Sequence, residues 1–298
     1  MFYQIIELRI TVFRFSSMLF RDMPGCVLQF RRLFLSTICA MKLVLLLLML
    51  VLNLASAARA ADAPNIAAAA DLKFALTEIA AAHTRAGGGQ VHLSFGSSGI
   101  FRRQIAQGAP FDLYLSADEA YVDALIAEGR VEGPGILYAI GRIVLFIPNG
   151  SKVKADNRLH DLAAAARDGR LKRLAIANPE HAPYGRAARE ALQHVGAWDA
   201  VADKLALGEN AAQAARFGIS GSTQAAILPL SLVRADEFAG KGAFVTLPES
   251  WHAPLRQRMA LVKGAGETAR RFYAFMQTAE ARDILVKHGF VLPSAGAP

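Results

Sequence analysis

Val91-His92-Leu93-Ser94-Phe95-Gly96-Ser97-Ser98-Gly99-Ile100-Phe101-Arg102-Arg103-Gln104-Ile105-Ala106-Gln107 is the stretch that decides the fold. Val91 to Phe95 reads as a strand and Ile100 to Gln107 as a helix, so Gly96-Ser97-Ser98-Gly99 is a strand-to-helix turn. Its glycines relieve steric limits around two small hydroxyl residues. Such a turn offers free backbone N–H groups, side-chain O–H groups and the positive end of a helix dipole. Those are the parts of an anion site that needs no Lys or Arg. Ser98 is the foremost candidate ligand, through both hydroxyl and backbone N–H, and Ser97 shapes the turn. A serine ahead of a helix is also an ordinary N-cap, and the turn alone leaves both readings open.

The same alternation continues on both sides. Asn65 to Ala70 reads as a strand and Leu72 to Arg85 as a helix, with Leu72, Ala75, Leu76, Ile79 and Ala80 on one face and Gly87-Gly88-Gly89 ending it. Ala67-Ala68-Ala69-Ala70-Asp71 is then a second candidate anion turn. Phe111 to Ser116 is a third strand, and Asp118 is placed to cap a helix from Glu119 to Glu128. This β-α-β-α-β-α order favours a parallel sheet with helices on its faces. Near Gly141 the pattern changes, and Arg142 to Pro148 holds a long buried strand taken as the first crossing into a second lobe. That lobe is expected to contain helix 159–167, strand 174–177, helices 184–195 and 210–217, and strand 225–230. Phe244 to Leu247 is read as leading back, and Arg258 to Val262 as a returning strand, followed by helices 267–276 and 279–288. The expected division is 61–140 with 243–298 for the first lobe and 141–242 for the second, with a ligand cleft where strand C-termini meet helix N-termini.

Two turns of the second lobe face that expected cleft. In Pro179-Glu180-His181-Ala182-Pro183-Tyr184-Gly185, Pro183 suits a first helical turn and the Tyr184 N–H is left free. His181 has no companion at a metal-binding spacing, which favours a turn hydrogen bond over a ligand or base. In Gly208-Glu209-Asn210-Ala211-Ala212-Gln213, Asn210 can cap the helix and Ala211 can offer an N–H.

Residues 43–54 are almost wholly apolar, follow Met41-Lys42 and precede Ala55-Ser56-Ala57 and Ala58-Arg59-Ala60, the pattern of a cleaved secretory signal peptide. The run is short for a membrane-spanning helix. Residues 1–40 are expected to come from an upstream start codon. Residues 1–60 hold both cysteines, Cys26 and Cys39, and seven of 33 basic against two of 25 acidic residues, so the remainder is cysteine-free with a net charge of +3. That balance gives no ground for nucleic-acid binding, and without cysteine there is no disulfide, thiol nucleophile or thiolate metal site. No nucleophile–base pair, metal cluster, dinucleotide fingerprint or Walker loop stands out, so no enzyme and no cofactor are expected.

Ala68-Ala69-Ala70-Asp71-Leu72, Ser94-Phe95-Gly96-Ser97-Ser98-Gly99, Arg103-Gln104-Ile105, Gly108-Ala109-Pro110-Phe111-Asp112-Leu113, Leu115-Ser116-Ala117-Asp118 and Asn178 to Gly185, with Ala197-Trp198 and Gly208-Glu209-Asn210, run over 64–290 in order. In these motifs the chain resembles the periplasmic molybdate-binding proteins of ABC importers. The resemblance implies a two-lobed type II periplasmic-binding fold, an α/β protein with a mostly parallel sheet in each lobe. It also implies that a tetrahedral dianion, molybdate or tungstate, is held by N–H and O–H donors without counter-charge. The implied partner is an ABC permease in the inner membrane, and the protein is expected to be monomeric. Ser98 matches the family's serine ligand, while Tyr184 and Ala211 match backbone N–H donors. These are contacts to the oxyanion, not to the metal. The expected ligand set is Asp71, Leu72, Ser97, Ser98, Tyr184, Asn210 and Ala211.

Two residues depart from that pattern. Many members have Ser at Asp71 and Tyr where Pro229 falls, which removes a hydroxyl donor that Asn210 or Gln213 would have to replace. A carboxylate beside a dianion in a dry cleft is unfavourable. Three solutions are open: Asp71 turned away to cap the helix while the N–H of Leu72 or Lys73 binds, Asp71 protonated as a donor, or Asp71 accepting from a proton-bearing ligand such as hydrogen phosphate. The capping solution is placed first. Lys73 is expected at the surface. The alternatives to a molybdate binder are a binder of another oxyanion in the same fold and, further off, an enzyme or ligand-sensing domain.

Overall fold

A computed structural model describes residues 63–294; the signal peptide and cleavage site read from the sequence lie outside them. In chain order the regular elements are β1 (Asn65–Ala69), α1 (Lys73–Arg85), β2 (His92–Gly96), α2 (Ser98–Ala106), β3 (Leu113–Ser116), α3 (Glu119–Ala127), β4 (Ile136–Gly141), β5 (Ile143–Pro148), α4 (His160–Asp168), β6 (Leu174–Ala177), α5 (Pro183–His194), α6 (Trp198–Val201), β7 (Leu205–Gly208), α7 (Ala211–Ile219), β8 (Ala225–Pro229), α8 (Leu230–Val233), β9 (Gly242–Thr246), β10 (Leu255–Leu261), α9 (Glu267–Phe275) and α10 (Ala279–Lys287). They build two five-stranded sheets, in the orders β2-β1-β3-β10-β4 and β7-β6-β8-β5-β9. Each sheet has a parallel half, β2-β1-β3 and β7-β6-β8, completed by antiparallel pairings.

The elements follow from their sequences. β1 carries Ile66 and three alanines, all buried, so helices can pack closely on both faces of the strand. In α1 the apolar positions Ala75, Leu76, Ile79 and Ala82 recur at the helical period and are buried in one cluster with Phe272, Met276 and Leu285 of the C-terminal helices. Burying side chains the size of Leu76 and Ile79 contributes about 1.5–3 kcal/mol each. Gly87 closes the helix at φ +80°, where the Gly87 N–H donates to Thr84 and the Gly88 N–H to His83. Asp118 caps α3 through a hydrogen bond from Ala120 N to Oδ1 (2.9 Å).

Between the sheets the chain passes once from β4, ending at Gly141, to β5, beginning at Ile143. The return differs from the sequence reading. Gly242–Thr246 pairs antiparallel with β5 and stays in the second sheet, so the chain crosses back between Thr246 and Leu255, and not at 243. The five residues are half exposed on an edge strand, with no buried stripe to announce the pairing. β4 and β7 are two further strands that the sequence pattern does not announce.

The two lobes are closed on one another. The core of the second takes in Ala69, Ala70 and Ala117 of the first. Cross-lobe hydrogen bonds run from Gly99 N to His181 O (3.0 Å) and from Ser231 Oγ to Asp71 O (2.8 Å).

Candidate functional site

Five strand ends converge on one small cavity between the lobes. Ala69, Ala70 and Asp71 follow β1, Gly96 to Ser98 end β2 and open α2, Ala117 follows β3, Ala182 to Tyr184 open α5, and Ala211 opens α7. The cavity is small, with room on the scale of one water molecule. No lysine or arginine lines it. The N–H groups of Ser98, Tyr184 and Ala211 lie in first helical turns, where no carbonyl within the helix can accept from them. Three helix N-termini therefore supply partial positive charge to a space without full positive charges.

Ser98 is buried and set up as a donor. Its Oγ accepts from Ala117 N (3.0 Å), while its carbonyl accepts from the Tyr114 hydroxyl (2.7 Å). With its lone pair engaged, the Ser98 hydroxyl hydrogen is free to point at an occupant. Ser97 does more than shape the turn. Its Oγ donates to the carbonyl of His181 in the other lobe, and His181 Nδ1 lies 3.0 Å from the same oxygen. The His181 Nε2 faces Glu209 at 3.4 Å. His181 thus joins the lobes through turn hydrogen bonds, and among the described residues no group of His, Cys, Asp and Glu could hold a metal ion.

Asp71 is where the first-ranked expectation fails. It lies inside a single 3-10 turn, Ala70–Leu72, ahead of α1, and its side chain caps neither that turn nor the helix. The carboxyl is instead buried. Oδ2 accepts from Gln257 Nε2 (2.6 Å), and Oδ1 has no hydrogen-bond partner in the protein among the described residues. Burial pushes its pKa up to about 6, against the opposing pull of the Gln257 hydrogen bond and of the nearby Tyr184 hydroxyl and Asp71 and Leu72 N–H groups, which lie outside hydrogen-bond geometry.

Two other members of the expected set, Leu72 and Asn210, are not among the residues that line the cavity. The Leu72 side chain is packed in the core of the first lobe, while the expectation concerned its N–H, which lies in the turn ahead of α1. Asn210 caps α7: its Oδ1 accepts from Gln213 N (3.0 Å), and Gln213 Oε1 accepts in turn from Glu209 N (2.6 Å). Their amide oxygens are used in the cap and neither residue lines the cavity, so neither stands in for the hydroxyl lost at Pro229. Pro229 itself ends β8 opposite Ile143, and Ser231 two residues on binds the Asp71 carbonyl. Lys73 is half exposed, 3.9 Å from Glu237.

Sequence reasoning missed Gln257 and Tyr138. Gln257 is fully buried on β10, bonded through Oε1 to the Tyr138 hydroxyl (2.7 Å) and through Nε2 to Asp71 and to the Tyr184 hydroxyl (3.1 Å). A signal was present. Leu255, Gln257 and Met259 share one face of a period-2 strand, so Gln257 is a polar residue at an inward position.

A family model described as bacterial extracellular solute-binding protein matches residues 64–291. The chain is 35% identical over 249 residues to the molybdate-binding protein ModA of Rhodobacter capsulatus, covering 82% of this chain and 94% of that one. It is 33% identical to the ModA of Azotobacter vinelandii, covering 80% and 93%. The solved structure of the periplasmic molybdate-binding protein of Azotobacter vinelandii superposes with a TM-score of 0.71 at 28% identity, over 77% of this chain and 99% of that one. The chain belongs to the bacterial extracellular solute-binding proteins, in the family of the molybdate-binding proteins ModA.

Proposed function

We propose that the protein captures molybdate or tungstate in the interlobe cavity and delivers it to an ABC permease in the inner membrane. The observation that carries this reading is the convergence of three helix N-termini and the Ser98 hydroxyl on an interlobe space with no lysine or arginine in its lining. A desolvated tetrahedral dianion needs every oxygen met by a donor, and a cavity of slightly wrong size leaves that desolvation uncompensated. Cavity size is therefore the means of separating the larger oxyanions from sulfate. The relatives named for molybdate binding support the same ligand. Ser98, Tyr184 and Ala211 act as neutral donors, Asp71 lies beside them, and Ser97 holds the lobes together around the ligand. The protein works as a monomeric binder without catalysis or cofactor, exported to the periplasm by a signal peptide that is cleaved.

Titration calorimetry of the purified protein with molybdate, tungstate, sulfate and phosphate at pH 6 and pH 8 tests it. Tight binding of the first two is the expected result, and failure to bind either removes the assignment. The unpartnered Asp71 Oδ1 also favours a second reading, in which an ionised Asp71 accepts a hydrogen bond from a proton-bearing oxyanion such as hydrogen phosphate. Phosphate binding tighter than molybdate would establish that reading.

A further inference from the structure

We propose that Asp71 meets the oxyanion as a neutral carboxylic acid donating from Oδ1, and that Gln257 is the positioning residue that selects this oxygen. The inference rests on the oxyanion-binding reading above and deepens it. It begins in the first sheet, where the β4–β10 register slips. Gln257 pairs with Ala139 and Arg258 with Leu137, leaving Tyr138 as the extra residue of a bulge. Bulges re-aim side chains, and here the Tyr138 hydroxyl is brought to Gln257 Oε1 at 2.7 Å. A phenol that donates to one end of the amide fixes the other end. The two Nε2 hydrogens of Gln257 then go to Asp71 Oδ2 (2.6 Å) and to the Tyr184 hydroxyl (3.1 Å). Gln257 is therefore locked, with every polar atom engaged.

That lock decides where a proton sits on Asp71. Oδ2 already accepts a strong hydrogen bond and is the poorer site for a second hydrogen. Oδ1 is buried, without a protein partner, and belongs to a residue lining the cavity. An ionised Oδ1 would face a dianion with no cation in the lining to offset the repulsion. A proton there turns repulsion into a hydrogen bond. An arriving anion also raises the proton affinity of the carboxyl. Capture therefore draws one proton from solvent onto Oδ1, and the O–H bond is the only covalent bond formed.

The surrounding groups leave Asp71 as the site of that change. Tyr138 and Tyr184, on β4 and α5, are buried and held as neutral phenols, their pKa values raised by burial. Ser231 and Leu72 do not titrate. Lys73 is turned toward Glu237 and lies over the Phe74 ring. His181, between Ser97 and Glu209, is the other side chain near the cavity of a type that changes charge near neutrality. Burial, net of the donors that oppose it, already holds Asp71 at about 6, so proton uptake on binding is expected above that pH. The consequence for selectivity is direct. A donor at Oδ1 suits an oxyanion that carries no proton, whereas the O–H of hydrogen phosphate would meet no acceptor there.

Molybdate titration from pH 6 to pH 8.5, in buffers of different ionisation heat, tests the inference on the wild type, Asp71→Asn and Gln257→Leu. The wild type is expected to take up close to one proton at pH 8, with affinity falling about tenfold per pH unit above about pH 6.5. Asp71→Asn keeps an N–H donor in the place of the acid, oriented by the same Gln257 contact, and is expected to bind with neither uptake nor slope. Gln257→Leu removes an N–H that favours the carboxylate, so its pH midpoint should move upward, a shift that loss of packing alone would not give. Binding without proton uptake overturns the inference. So does a slope that persists in Asp71→Asn, which would assign it to His181, or phosphate affinity that exceeds molybdate affinity as pH rises. Absence of molybdate and tungstate binding at every pH overturns the functional reading itself, and this inference with it.

Discussion

The two walls of the cleft present donors of different kinds. In the first lobe Asp71, Ser97 and Ser98 bring polar side chains to the cavity or its rim, each held by hydrogen bonds to neighbouring elements. In the second lobe the lining is Ala182, Pro183, Tyr184 and Ala211, at the starts of α5 and α7, and the one polar side chain among them, Tyr184, has its hydroxyl held by Gln257. The chemistry of the first wall is open to change by substitution, because it presents polar side chains as well as the Ser98 N–H. The N–H groups of the second wall can be altered only by moving main chain. Substitutions should therefore divide into those that tune the ligand and those that disturb the fold, and the division can be tested on each side.

The largest effect is expected on the backbone wall. A Cβ on Gly185 would lie 2.1 Å from the Ala177 carbonyl oxygen, and 2.7 and 2.8 Å from the carbonyl carbons of Ala177 and Asn178. All three are main-chain atoms of one tightly packed lobe, so no side chain can swing away. Gly185→Ala should destabilise the protein by roughly 3 kcal/mol or more, the upper range of overpacking, and weaken anion binding by shifting the start of α5. Thermal unfolding checks it. An unchanged midpoint would mean that this wall yields more readily than its geometry implies.

Asp71→Asn comes next, and it is expected to stabilise. The folded protein holds the Asp71 pKa at about 6 against an ordinary value of 3.8. The folded state thus binds the proton more tightly than the unfolded chain. The stability this group contributes is fully present below about pH 4 and is lost as pH rises through 6, a difference of about 3 kcal/mol at neutral pH. Asp71→Asn should remove that slope and raise the denaturant midpoint of the ligand-free protein at pH 7 to 8. A parallel pH–stability curve for the two proteins would show that burial does not act on this carboxyl as described.

Ser98→Ala isolates the side-chain wall from the fold. It removes one hydroxyl donor to an anion, about 1.5–3 kcal/mol, and leaves the Ala117 N–H unpaired. Molybdate affinity should fall about 10- to 100-fold, with the lobes intact by circular dichroism. A loss of under threefold would move the principal contacts to the helix N-termini of the other wall.

The turn chemistry was legible in the sequence because it is local. Gly96-Ser97-Ser98-Gly99 and Pro183-Tyr184 announce strand-to-helix turns by residue type alone, and Ser98, Tyr184 and Ala211 are all found at the cavity. Asn210 was read from the same kind of signal and placed in the site, yet its amide is used by Gln213. A cap and an anion ligand look alike until the third dimension shows which way the group points. Gln257 and Tyr138 were invisible for a different reason. They reach Asp71 from far along the chain, through a register slip that no periodicity predicts. The misplaced return crossing had the same origin, since the pairing of β9 with β5 is a long-range choice written in backbone hydrogen bonds.

The smallest expected effect lies at the rim, where the two walls meet. Arg186 on α5 donates to Asp118 at the start of α3, and its guanidinium lies 5.3 Å from the centre of the Tyr121 ring. The pair joins the lobes and can form only when the cleft is closed, so it acts on the closing equilibrium rather than on the ligand. Asp118 also caps α3 through its other oxygen, and removing it would confound closure with helix stability. Arg186→Gln is the cleaner change. About a third of the Arg186 side chain and a fifth of the Asp118 side chain are exposed, so solvent screens the pair, and it is worth about 0.2–1 kcal/mol. Ligand dissociation should accelerate up to about fivefold at low ionic strength, and the difference from wild type should shrink as salt is added. A difference that survives high salt would mean that Arg186 holds the rim by packing on Tyr121 rather than by charge. The contrast between the walls would then extend to their edge, with the second lobe contributing shape even where it carries a full positive charge.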